Sequence, residues 1–139
     1  MFKHILVPTD FSEKSFRALD IAVKIALHDL SRLTLLHVIE TIEDAELGEF
    51  QEFYNRLRKR AEKKMEKMTD QYLQQEVEIN MEIAYGKRVR EIVRFAHDKE
   101  IDLIVVSTHR IDLSNTTQGW GSISYKVGIL SSCPVMLVK

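Results

Sequence analysis

Asp10, His109, Ser122 and Cys133 are the side chains of this sequence best placed to do chemistry. An ionised Asp10 only accepts hydrogen bonds, which suits a ribose hydroxyl or a base amine. His109 follows the apolar run Leu103-Ile104-Val105-Val106 and the polar pair Ser107-Thr108. Asp10 with His109 would make an acid–base pair for slow phosphate hydrolysis, yet no group is evident that would orient a nucleophile. The plainer reading of His109 is a loop residue bonded to a neighbouring carbonyl. Gly119-Trp120-Gly121-Ser122 precedes a helical pattern. Free amides and the helix dipole at such a start favour an anion such as phosphate. The plainer reading is a glycine turn with Ser122 as the cap. Cys133 stands before Pro134 and an apolar run, which fits a buried, inert thiol.

Other chemistries lack their signatures. There is no phosphate-binding Gly-x-x-x-x-Gly-Lys-Ser/Thr loop, no Gly-x-Ser-x-Gly elbow and no zinc motif. His4, His28, His37 and His97 show no metal-ligand spacing, so no metal is expected. The chain therefore reads as a non-enzyme, with slow nucleotide hydrolysis left open. Arg56, Arg58, Lys59, Arg60, Lys63 and Lys64 are interleaved with Glu52, Glu62 and Glu66, as on a solvated helix face. The formal net charge of -1 offers no global attraction to nucleic acid or membrane. One cysteine and no secretory leader suggest a reducing cytoplasm. No apolar run approaches the roughly 20 residues of a membrane-spanning helix.

The elements that must position these residues are legible from periodicity. Ile5-Leu6-Val7, Leu33 to Ile39 and Leu103 to Val106 are continuous apolar runs, typical of strands buried on both faces, and Val135 to Val138 is a last, short apolar strand. Val77 to Tyr85 alternates instead, so one face is wet and the segment predicts an edge strand ended by Gly86. Between the strands, apolar residues recur every three or four positions. Phe16, Leu19, Val23 and Ala26 mark one helix, for which Asp10 and Ser12 offer capping oxygens. Phe50, Tyr54, Leu57, Ala61, Met65, Met68 and Tyr72 mark a second, read as core packing against the sheet. Val89, Ile92, Val93 and Ala96 mark a third, and Ile123, Val127 and Leu130 a short fourth. The order β-α-β-α-β-α-β-α-β predicts a single α/β domain over 1–139 with an open parallel sheet and helices on both faces. Ligands of such sheets bind beyond the carboxyl ends of the strands where strand order reverses. Here those ends are Pro8-Thr9-Asp10 and Ser107-Thr108-His109.

Together these segments resemble the universal stress protein family. The likeness rests on Ile5 to Ser12, Leu35-Leu36-His37-Val38, Gly86, Asp102 to His109, Gly121 to Val127 and Cys133 to Val138, in order and almost end to end. The resemblance implies a five-stranded sheet of order 3-2-1-4-5, of the adenine nucleotide alpha hydrolase-like type. It also implies an ATP-type site in the members that bind nucleotide. Pro8, Thr9, Asp10 and Val38 would surround adenosine, Val106 and Ser107 would lie beside it, and Gly121, Ser122 and Ile123 would hold phosphates. The binding members resemble one another in a glycine, two residues, a second glycine, nine residues, then Gly-Ser or Gly-Thr. In this chain Ser107 and Arg110 replace the two glycines, and Ile111 to Trp120 make the spacer one residue longer. Glycine serves where backbone must touch a ligand or take a positive φ. The losses point to weak or absent ATP binding, with Arg110 or Trp120 filling the pocket. The alternative is a competent ATP or AMP site in which the Arg110 guanidinium pairs with a phosphate.

The last run, Val135-Met136-Leu137-Val138, would be an uncharged apolar edge, and such an edge invites pairing. A two-fold homodimer through this strand is expected, and the family resemblance implies the same.

Overall fold

The computed structural model describes residues 1–42, 48–108 and 122–139. Strand β1 (His4–Pro8) leads into helix α1 (Glu13–Asp29), β2 (Arg32–Ile39) into α2 (Gln51–Asp70), and β3 (Glu78–Tyr85) into α3 (Arg88–Asp98). Strand β4 (Leu103–Ser107), helix α4 (Ile123–Leu130) and strand β5 (Val135–Val138) complete the chain. The described strands form one parallel sheet of order β3-β2-β1-β4-β5, as expected.

The period of two within the strands divides the core. Ile5, Val7, Leu33, Leu35, Leu103 and Val105 point to the face covered by α1 and α2. Leu6, Leu36, Val38, Ile104 and Val106 point to the other, where Ile92 and Ala96 of α3 and Val127 of α4 meet them. Both faces of the three central strands are buried, which explains their unbroken apolar sequence. β3 exposes Glu78, Asn80 and Glu82 at its edge. Gly86 follows with φ +143 and donates its amide to the Ile39 carbonyl, closing the turn into α3.

Two expectations need correction. Phe16 was expected on the buried stripe of α1 but is 37% exposed; Ser15, Ala18, Leu19, Ala22, Val23 and Ala26 face the sheet. The stripe is turned because small residues let α1 sit close on β1 and β4. In the second helix only Ala61, Met65 and Met68, with Tyr72 just beyond its end, join the core. Phe50 and Phe53 are exposed and Tyr54 and Leu57 half-buried, so the apolar period outlasts the sheet beneath it.

The β1–β4 pairing is short: Ile5 lies opposite Leu103 and Leu6 opposite Ile104. On the other side β1 stays paired with β2 through Pro8 opposite Leu36. Beyond Leu6 the sheet therefore parts between β1 and β4. Thr9 donates its amide to the Leu36 carbonyl on β2, so the alternation of a parallel strand turns the N–H position of Pro8 toward β4. Proline has no N–H to offer there. No described helix is long and apolar enough to cross a membrane.

Candidate functional site

The cleft at the parting of the strands is lined by Pro8, Thr9 and Asp10 from the end of β1, and by Val38 from β2. Val106 and Ser107 of β4 face them, and Ser122 and Ile123 close the side at α4. Eight of the residues expected from the sequence are thus brought together. Arg110 and Gly121, like His109 and Trp120, lie outside the described residues.

The β1 wall is tied down by a compact set of bonds. Thr9 is buried, and its hydroxyl donates to the Ser15 hydroxyl at 2.9 Å while accepting the Phe11 amide at 3.0 Å. Ser15 in turn donates to the Ser12 carbonyl at 2.7 Å. The Thr9 carbonyl accepts Nδ1–H of His37 at 2.8 Å. The Thr9 hydroxyl is therefore committed to the loop and is not free for a ligand. Phe11 is held at φ 67, a costly conformation for a bulky residue. Ser12 sits at the N-cap of α1, but its hydroxyl makes no capping bond. Asp10 does not cap either; it accepts the Ser12 amide at 2.9 Å through one carboxylate oxygen. The capping expected from these two side chains is replaced by the Ser12 carbonyl, which takes both the amide and the hydroxyl of Ser15.

Partial desolvation at the cleft rim acts to push the Asp10 carboxyl up, although the residue as a whole stays exposed. Its contacts with Ser12, the local amides and the Arg88 charge outweigh that and hold it below the usual carboxylate range. Asp10 is exposed and ionised at neutral pH, ready to accept from a hydroxyl or an amine. Burial also lowers His37, and the charges of Arg88 and Lys64 act in the same sense, so its ring is neutral at pH 7.

The α4 wall is held by a chain of serine and threonine hydroxyls. Ser122 caps α4 by accepting the Tyr125 amide at 3.3 Å, as the plainer reading expected. Ser124, buried, donates to the Thr108 hydroxyl at 2.8 Å and so ties α4 to the end of β4. The opening amides of a helix have no partner within it, and those of Ile123 and Ser124 occupy that position beside the cleft.

Four lining residues escaped the sequence reading: Leu36, Arg88, Ile92 and Ser124. Leu36 and Ile92 form the apolar floor. Arg88 brings a cation to the rim from the first turn of α3, and its only described carboxylate partner is Glu40 at 3.9 Å. The available signal was a basic residue two places after Gly86, where a helix starts beyond the end of β2. Cys133 is half-buried, and burial pushes its thiol up, away from thiolate chemistry.

The profile of the universal stress protein family matches residues 1–139. The chain belongs to that family. The universal stress protein YxiE of Bacillus subtilis is 31% identical, with all of both chains covered. The solved structure of MJ0577, a protein of Methanocaldococcus jannaschii, superposes with a TM-score of 0.83 at 33% identity, covering 100% of this chain and 96% of that one. A universal stress protein solved in complex with cAMP superposes at 0.69 with 22% identity, covering 99% and 97%. Fold and family thus agree with the expectation from the sequence.

Proposed function

We propose that this universal stress protein is a single-domain, cytoplasmic ligand-sensing module that takes an adenine nucleotide in the cleft between β1 and β4. The observation that carries the reading is the meeting of Pro8, Thr9, Asp10, Val38, Val106, Ser107, Ser122 and Ile123 around one opening. An acceptor-only carboxylate, an apolar floor and a helix start lie on its different sides, matching amine or hydroxyl, base and phosphate in turn. The cAMP complex of a protein of the same fold supports this. ATP itself is held weakly or not at all, because Ser107 and Arg110 stand where nucleotide-binding relatives resemble one another in having glycine. Calorimetry with ATP, ADP and AMP tests both parts. Heat from AMP with little or none from ATP is expected. Micromolar ATP binding would overturn the weak-ATP reading in favour of an Arg110–phosphate contact. No heat from any adenine nucleotide would sink the nucleotide reading.

The module acts as a homodimer through β5. Met136 and Leu137 are 38% and 42% exposed on an edge strand with no charge before Lys139. Sedimentation is expected to show a dimer at micromolar concentration and a monomer for Leu137→Lys. A monomeric wild type contradicts it.

A further inference from the structure

Val38 and Arg88 line a second groove as well as the cleft. It opens between the end of β2 and helix α2, and its polar lining is Arg60, Lys64, Arg88, Glu40 and His37. Among the described residues, three cations thus share one space with one carboxylate. Arg60 and Lys64 stand four residues apart on one side of α2, and neither is paired with a described carboxylate. The rest of the basic run of α2 does not line this groove.

The groove is held in shape. Lys64 Nζ lies 5.2 Å over the Phe11 ring, and that ring packs 4.3 Å from the ring of His37. The positive φ of Phe11, secured by the Thr9 hydroxyl, keeps the stack in place. His37 spends Nδ1–H on the Thr9 carbonyl, so its neutral ring keeps Nε2 as a lone-pair acceptor. Cations beside a neutral acceptor suit an anion that also carries a proton. A phosphate group fits both: its charged oxygens meet Arg60, Lys64 and Arg88, and its hydroxyl can donate to Nε2.

We propose that this groove binds a phosphate group next to the nucleotide cleft, with Arg88 shared between the two. The phosphate comes either from a nucleotide bearing a second, separated phosphate or from free phosphate ion. The first source rests on the nucleotide reading above; the second does not.

Two titrations of the full chain at low ionic strength test it. Adenosine 3′,5′-bisphosphate is expected to bind about tenfold tighter than AMP. The double variant Arg60→Gln, Lys64→Gln is expected to abolish that gain and leave AMP affinity unchanged. In parallel, inorganic phosphate is expected to shift the His37 ring signals in NMR, with the shift lost in the same variant. A gain with the bisphosphate identifies the nucleotide as source; a response to inorganic phosphate alone identifies the free ion. Equal affinities together with silent His37 signals overturn the proposal. If no nucleotide binds, the nucleotide reading fails and the inorganic phosphate titration alone decides for or against the groove.

Discussion

The two walls of the cleft are built differently. At the β1 wall one hydroxyl, that of Thr9, joins Phe11 to Ser15, and the Thr9 carbonyl adds His37 from the neighbouring strand. At the α4 wall the described side-chain bonds include the long Ser122 cap, the Ser122–Ser124 hydroxyl contact and the Ser124–Thr108 link. The first wall is fixed before any ligand arrives. The second is joined to the end of β4 through the buried Ser124, and its helix start lies beside the cleft. On the proposed nucleotide reading, the nucleoside lies against the β1 wall and the phosphate at the helix start of the α4 wall.

The largest effect is expected from Thr9→Val. It leaves the Phe11 amide and the Ser15 hydroxyl without their shared partner and removes the restraint on the positive φ of Phe11. A loss of about 2 kcal/mol is expected in urea unfolding, with a drop in AMP affinity. A loss no greater than that of the next variant would erase the contrast between the walls. Ser124→Ala cuts the link from α4 to β4 and is expected to cost about 1 kcal/mol, with stability, not AMP affinity, carrying most of the change. The smallest effect is one of pH. His37 is lowered in the folded chain, so its contribution is full above its ordinary value of 6.5 and is lost as pH falls through the lower folded value. His4, also lowered by burial, acts in the same direction. The urea midpoint is therefore expected to fall between pH 7.5 and pH 5.5, and to fall less in His37→Gln. An equal fall in both would assign the pH dependence to His4 and detach His37 from the rigid wall.

Much of this was readable from residue types. The unbroken apolar runs of β1, β2 and β4 and the alternation of β3 separate central strands from an edge because burial on two faces or one dictates those patterns. The cleft residues at the ends of β1 and β4 followed from the same order. What escaped notice depends on distances that a periodic pattern does not encode. Phe16 and Ser15 are neighbours on α1, and which one faces the sheet depends on how closely the helix approaches it. Phe50 and Phe53 continue an apolar period after the sheet has ended. Arg88 lines the cleft from the helix that starts just after the Gly86 turn, where Gly86 donates its amide to Ile39 at the end of β2. The Thr9 bonds join residues close in sequence, yet nothing in their types announces which hydroxyl will be shared.

Pro8 has a consequence for the life of the sheet. Where two parallel strands run side by side, each further rung of their ladder needs an N–H donor on the facing side. The residue that would extend the zipper toward β4 is an imino acid with no hydrogen to give. Pro8 is thus a stop built into the backbone itself. It spares the opening an orphaned donor and denies the β1–β4 ladder its next rung.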